Sequence, residues 1–334
     1  ARYKKVFSED AVLASGLLGI ALTSRNKERP QDEPMAGVPH HSVHQYVAKL
    51  LAAGHKVAFC EQLVDPKTVK GIVPRAVVRV LTPGLVTADS HLKDRENHYL
   101  CAIEGDAAAG RFGLCRLDLS TAELSVASCA DADELLSEVA RAAPKELLLG
   151  EGAATIAPRA RESFESLVVR LLPAVVDAAA IAERAAPKIA GRIRALPPET
   201  QAAVALALGL AKECVPNQDL PIREISAIDL AGSLQIDETA QAHLELVRAA
   251  DGTSERTLLE TVDRTQSAAG ARLLRRWLLA PLHDVDAIRA RQDAAEAFLV
   301  HPRCRTELRA ALAKVTDLER IAVRIRLGER SPRD

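Results

Sequence analysis

Apolar residues recur at two different periods along this chain, and the change of period divides it into regions. The first region mixes both. Ser8 stands as a cap ahead of Glu9 and Asp10, whose carboxylates suit a helix N-terminus, and Gly19 is placed to end that helix. A second helix is expected after Ser42, with Val43, Tyr46, Val47, Leu50 and Leu51 on one face and Gly54 as its stop. Residues 57–60 and 77–81 read as buried strands, the second running into the turn signal Thr82-Pro83-Gly84. Together these elements predict a small α/β domain over residues 1–90.

Residues 85–98 are polar, lack periodicity and read as a connector. Three sequential strands are expected at 99–103, 111–119 and 123–128. Asp131 with Glu134 forms a capping-box pattern ahead of a helix that ends near Pro144, and 145–149 reads as a further strand. This is a second α/β domain, 97–213. From about Leu220 the strand signals vanish. Helical spacing covers 237–250, 255–280, 284–299 and 303–327, with Asp284 as an N-cap and Pro281 and Pro302 as breaks, so 220–334 is expected to be all-α. The last pattern still runs at Arg326 and residue 1 is Ala, so the chain is expected to start inside a longer protein and its helical domain to be incomplete.

Composition sharpens this picture. A length of 334 residues suits two or three domains, and an aromatic content of 3% means the cores must be built from Leu, Ala and Val. The net charge of −1 excludes a globally basic nucleic-acid binder. The charge is nonetheless uneven: residues 1–80 hold twelve Lys/Arg against seven Asp/Glu, and the stretch from Arg264 onward is rich in arginine. The six cysteines are scattered without a CxxC pair, which argues for reduced core thiols over a disulfide scaffold or a zinc site. No apolar run approaches the ~20 residues of a membrane-spanning helix.

Catalytic strings are missing from the sequence. There is no Gly-x-x-x-x-Gly-Lys phosphate loop, no Gly-x-Gly-x-x-Gly, no His-Glu-x-x-His and no Gly-x-Ser-x-Gly. His40, His41 and His44 lack a carboxylate at helical spacing, so a turn or cap role is preferred to metal binding. Asp118 lies in a hydrophobic strand, as a catalytic carboxylate of an RNase H-like nuclease would. Such chemistry needs several carboxylates converging on metal ions. Glu104 and Asp106 are the nearby acids, and the preferred reading of Asp118 is a side chain that bonds the adjacent turn.

Two longer blocks carry a family resemblance. The first is Pro34-Met35-Ala36-Gly37-Val38-Pro39-His40-His41-Ser42-Val43, followed by Val57-Ala58-Phe59-Cys60-Glu61-Gln62, Asp65-Pro66-Lys67, Lys70-Gly71 and Val77-Val78-Arg79-Val80-Leu81-Thr82-Pro83-Gly84. The second runs from Thr257-Leu258-Leu259 through Leu273-Leu274-Arg275-Arg276-Trp277-Leu278-Leu279-Ala280-Pro281-Leu282 to Arg289-Ala290-Arg291-Gln292-Asp293. In this order they resemble the MutS family of mismatch-recognition proteins over nearly the whole chain. The resemblance implies a mismatch-binding α/β domain, an RNase H-like α/β connector and the start of an all-α core with its levers. It also implies a DNA-binding chain that is not itself an enzyme. ATP and Mg²⁺ would belong to a C-terminal ATPase that follows in the family, leaving no cofactor in this chain. The implied partners are duplex DNA with a mismatch or small loop, a second copy of the chain and a MutL-like protein. The implied location is cytoplasmic, on the nucleoid, without a membrane.

The family's wedge motif, Phe-x-Glu, falls on Tyr3-Lys4-Lys5 when counted back from Asp10-Ala11. Tyr3 retains an aromatic wedge, whereas Lys5 replaces an acceptor with a cation and favours phosphate over base contact. Either this terminus is damaged or misread, the preferred reading, or mismatch specificity is lost. Arg75 and Arg79 are the candidate phosphate contacts, with solvated surface as the plain alternative. Met35 is a candidate DNA contact, although with Phe59 it reads first as core. Trp277 is expected to pack in the core, and Arg275 and Arg276 to join ion pairs between domains. Ala240-Gln241-Ala242-His243 departs from the family's Thr-Arg-Arg-Asn, ahead of a retained Leu244-Glu245-Leu246. Two rival readings are a metal-dependent nuclease built on Asp118 and a partner-binding scaffold that does not recognise DNA.

Overall fold

A computed structural model describes residues 3–24, 33–65, 71–87, 91–106, 110–164, 167–216 and 218–328. The chain parts into two compact units, Ala1–Val86 and Thr87–Asp334.

In the first unit, β1 (Tyr3–Phe7), α1 (Ser8–Leu18), β2 (Thr23–Ser24) and β3 (Pro34–Pro39) are followed by α2 (Val43–Ala52), β4 (Val57–Gln62) and β5 (Arg75–Leu81). β3 is the centre of an antiparallel sheet ordered β1-β3-β2, while β4 and β5 form a separate antiparallel ribbon. The core is aliphatic: Ala11, Ala14 and Leu18 of α1 meet Ala36 and Val38 of β3 and Val43, Val47 and Leu51 of α2. Gly19 ends α1 as expected, in the left-handed conformation (φ 64°) that glycine adopts without steric cost. The caps differ from expectation. The Ser8 hydroxyl donates to the Glu33 carboxylate and caps no helix, and the Ser42 hydroxyl donates to the Pro39 carbonyl at 3.3 Å. His40–Ser42 form a 3-10 turn, the role preferred for His40 and His41.

The second unit is built on a six-stranded sheet. Its strands are β6 (Leu100–Asp106), β7 (Arg111–Asp118), β8 (Glu123–Cys129), β9 (Glu146–Leu149), β10 (Val168–Leu171) and β11 (Ser226–Ala227). The spatial order is β10-β9-β6-β7-β8-β11, with the β6-β7-β8 meander antiparallel and β9, β10 and β11 each parallel to a neighbour. The helices between them are α3 (Ala132–Ala142), α4 (Ala157–Ser163), α5 (Ala178–Ala185), α6 (Ala190–Arg194) and α7 (Pro198–Cys214). Strands alternate faces with period two, so Cys101, Ile103, Phe112 and Leu114 pack with Leu135 and Val139 of α3. α7 covers β6 and β7 with an almost wholly buried surface, as its run of Ala and Leu requires. Gly113 makes that approach feasible: a Cβ there would lie 2.4 Å from the backbone of Glu199 and Thr200.

Asp131 caps α3 as expected, accepting from the N–H groups of Asp133 and Glu134 at 2.9 and 2.8 Å. Glu134 reaches back to Ala130 N, one residue beyond the usual capping-box partner. Four cysteines are buried in this unit, and burial pushes the Cys101 thiol up to about 12. Cys60 and Cys304 are exposed, so the reading as core thiols holds at four of the six positions.

The helical region is more broken than its periodicity implied. It comprises α8 (Glu238–His243), α9 (Leu258–Val262), α10 (Ala268–Leu279), α11 (Val285–Val300), α12 (Pro302–Leu312) and α13 (Leu318–Arg326). Asp284 caps α11 through Ala287 N at 2.8 Å, but Pro302 opens α12, where its missing N–H costs nothing. The pattern over 255–280 splits because the Asp263 carboxylate accepts both the N–H and the hydroxyl of Thr265, forming a turn that competes with helix. Leu246 is buried and Leu244 is exposed, so half of the retained Leu-Glu-Leu packs, and the Gln241 amide donates to Ile236 O at 2.9 Å. No helix among the described residues is long and apolar enough to cross a membrane.

Candidate nucleic-acid interface

β1 shows the period-two alternation of a sheet with one open face: Tyr3, Lys5 and Phe7 are exposed, and Lys4 and Val6 are half-buried. Its register with β3 sets Tyr3 opposite Pro39, Lys5 opposite Gly37 and Phe7 opposite Met35. Directly opposed residues share a face. The open face therefore carries Tyr3, Lys5, Phe7 and Met35 around the bare backbone of Gly37. The Tyr3 ring is 54% exposed, on a strand that pairs along its full length. Behind it, the Lys4 ammonium pairs with the Glu61 carboxylate and ties β1 to β4.

Three of the five sequence-derived candidates, Tyr3, Lys5 and Met35, thus share one surface. Met35 is half-buried, where the sequence reads it first as core. Arg75 and Arg79 stand on the β4–β5 ribbon and differ from each other. Arg75 is exposed opposite Gln62. Arg79 is half-buried opposite Phe59, its guanidinium 5.6 Å from the ring centroid. A bulge between Phe59 and Cys60 shifts the register between the two arginines. Phe7 was not singled out from the sequence. The alternation Tyr3-Lys4-Lys5-Val6-Phe7 was the available signal, masked by the helix cap assigned to Ser8.

Asp118 is wholly buried, and both its oxygens are occupied. One accepts from Ser120 N (3.0 Å) and Ser120 Oγ (2.6 Å), the other from Asn97 Nδ2 and His98 N (3.0 Å each). This is the turn-bonding role preferred from the sequence, and it leaves no oxygen directed at a metal. Among the described residues no three His, Cys, Asp or Glu side chains are grouped to hold a metal ion.

The segment read as a connector is held by two buried arginines. Arg320 donates to the carbonyls of Lys93 (3.1 Å) and Glu96 (2.7 Å), and Arg272 donates to that of Asp94 (3.1 Å). Arg276 pairs with Glu123 at 3.0 Å, an ion pair between helix and sheet of the kind expected. Trp277 departs from expectation: it is 42% exposed, with the Arg291 guanidinium stacked 3.8 Å from its ring centroid.

Family models match the chain in three consecutive blocks: MutS domain I at residues 2–90, MutS domain II at 98–179 and MutS domain III at 239–334. Over 99% of its length the chain is 50% identical to the DNA mismatch repair protein MutS of Sorangium cellulosum (strain So ce56), of which it spans 38%. It is 38% identical to the protein of that name from Brevibacillus brevis, spanning 37% of it, and 36% identical to that of Methanothrix thermoacetophila, spanning 38%. Three domain matches in order, and relatives of one name from distant organisms, agree: the chain belongs to the MutS family of DNA mismatch repair proteins.

Proposed function

We propose that this chain binds duplex DNA at mispaired or unpaired bases, with Tyr3 as a wedge that stabilises a kinked step. The observation that carries the reading is the exposed Tyr3 ring on a fully paired strand, flanked on the same face by Lys5 and Met35. A mispaired step costs less to unstack than a matched one, so deformability selects the site and an inserted ring holds it open. Lys5 and Arg75 supply charge for phosphates, which fixes position without reading sequence. With a cation at position 5, discrimination rests on the ring and on deformability alone.

The order β8-β7-β6-β9-β10, an antiparallel meander continued by parallel strands, supports an RNase H-like connector. The match of 239–334 to MutS domain III supports reading α10–α13 as the start of a lever region. On the family resemblance the reading extends to a second copy of the chain and a MutL-like protein as partners. On this reading ATP and Mg²⁺ belong to the part of the relatives that this chain does not span, as the family resemblance implies. The chain on this reading is a recognition module and not a catalyst.

The test is binding to a heteroduplex oligonucleotide and its matched homoduplex. The wild-type chain is expected to prefer the heteroduplex, Tyr3→Phe to keep that preference and Tyr3→Ala to abolish it. Equal affinity of the wild type for both duplexes overturns the proposal.

A further inference from the structure

The β4–β5 ribbon is held unevenly along its length. Its root is secure: β4 leaves α2 through a turn in which His55 N donates to Leu50 O at 3.0 Å, and Val57 pairs with Leu81, which is buried. Beyond β4 the chain is exposed at Leu63 and Val64, and the ribbon pairs with no third strand among the described residues. A two-stranded ribbon by itself is marginally stable in water. The placement of its outer end therefore depends on what that end touches.

One such contact is charged. The carboxylate of Glu61, next to last in β4, accepts from the Lys4 ammonium of β1. Lys4 lies between Tyr3 and Lys5 and, by strand alternation, on the opposite face from both. Glu61 stands opposite Ala76, one register step from the Gln62–Arg75 pair. The tie thus joins the residue after the wedge candidate to the neighbourhood of the exposed arginine, across two sheets that are not paired with each other. The two side chains are 26% and 45% exposed, and an ion pair so open to water adds little to stability. Its consequence is geometric.

We propose that the Lys4–Glu61 ion pair is a positioning device that holds Arg75 in register with Tyr3, so that a duplex opened over the ring meets the arginine with a phosphate. Neither partner of the pair needs to touch DNA. A cation already in place binds without the cost of being ordered at that moment, and phosphate contacts fix where a protein sits on the duplex. The inference rests on the reading of Tyr3 as wedge and Arg75 as phosphate contact, and adds that the two are set by one tie.

The experiment measures affinity for heteroduplex and homoduplex across a salt series. The variants are Lys4→Gln, Glu61→Gln and the reversed pair Lys4→Glu/Glu61→Lys, each with and without Arg75→Gln. The two single variants change net charge in opposite directions, so a plain charge effect moves their affinities in opposite directions. Loss of the tie is expected instead to lower the heteroduplex-to-homoduplex ratio in both. The fall should be roughly two- to tenfold, the cost of ordering a long side chain on binding, with melting temperatures near that of the wild type. The reversed pair is expected to recover the ratio. Arg75→Gln should remove about 0.9 from the slope of log K against log salt in the wild type, and clearly less where the tie is broken. Opposite shifts in affinity at an unchanged ratio overturn the proposal. So does a slope loss from Arg75→Gln that is absent, or the same in every background. A wild type that binds both duplexes equally refutes the Tyr3 reading, while the Arg75 comparison, read on either duplex, still decides whether the tie positions the arginine.

Discussion

The Tyr3 ring rests over Gly37. A Cβ built at residue 37 would lie 4.0 Å from Tyr3 Cβ and Cδ1 and 3.6 Å from Lys4 O, which is ordinary van der Waals contact. Gly37→Ala is therefore expected to fold without loss and to change stability by under about 1 kcal/mol, since the stiffer unfolded chain offsets any crowding. Gly113→Ala is the contrast. Its Cβ would meet the α7 backbone at 2.4 Å, and backbone cannot rotate away. A loss of about 1–3 kcal/mol is expected there. Denaturant midpoints of the two variants check the pair, and equal midpoints would contradict the close approach of α7.

Lys5→Glu is expected to sharpen discrimination. It removes a phosphate contact, which weakens binding to every duplex alike, and places an acceptor beside the ring that contacts a base only at an opened step. The heteroduplex-to-homoduplex ratio should rise while homoduplex affinity and salt slope fall. Lys5→Gln should lower the slope and leave the ratio nearly unchanged.

Asp118→Ala leaves the N–H groups of His98 and Ser120 without their carboxylate. Each unsatisfied buried donor costs about 1–3 kcal/mol, so a loss of roughly 2–4 kcal/mol is expected in urea unfolding. A variant that keeps wild-type stability but loses a metal-dependent cleavage of DNA would restore the nuclease reading.

Asp317 takes both ends of the Arg272 guanidinium, at 2.6 and 3.0 Å, while Arg272 also reaches Glu319 at 2.6 Å. Arg272 is 2% exposed, so Asp317→Asn removes the charge of its bidentate partner, leaves it only the half-exposed Glu319 as a counter-ion and is expected to cost about 3 kcal/mol. Recovery in Arg272→Met/Asp317→Leu would show that the cost lies in the buried charge and not in lost packing.

The same pair sets an acid dependence. Burial acts to raise the Asp317 carboxyl, but the Arg272 fork and the Arg320 charge outweigh it and hold the group below the ordinary aspartate range. A carboxyl whose folded value is depressed stabilises the fold fully above its unfolded value, about pH 4, and loses that contribution as pH falls toward the folded value. Glu138 has the opposite sign: burial raises it above the ordinary value despite Arg141 and Arg116, so its ionisation opposes folding at neutral pH. Stability measured from pH 6 down to pH 2 should fall less steeply below pH 4 in Asp317→Asn than in the wild type.

Much of the architecture was legible because its causes are local. Asp131 and Asp284 cap helices with their own side chains, a contact that spans three residues, and both were readable. The face of α2 formed by Val43, Val47 and Leu51 follows from helical spacing alone. The strand β3 was hidden, because Pro34-Met35-Ala36-Gly37-Val38-Pro39 holds two prolines and a glycine, residues that ordinarily interrupt strands. Proline is tolerable at its two ends, and the glycine sits beneath the Tyr3 ring.

By itself, then, the sequence determined the family, the switch from α/β to helical structure and the positions of the wedge candidates, since each is written in short-range periodicity or contiguous motif. Tertiary structure alone decided that Tyr3, Lys5 and Met35 share a face while Arg75 and Arg79 lie on another ribbon. It also decided that a polar stretch without periodicity is clamped by Arg272 and Arg320, about 180 and 225 residues further along the chain. Contacts between distant segments depend on how the backbone closes, and no local spacing records which side chains that closure brings within hydrogen-bonding distance.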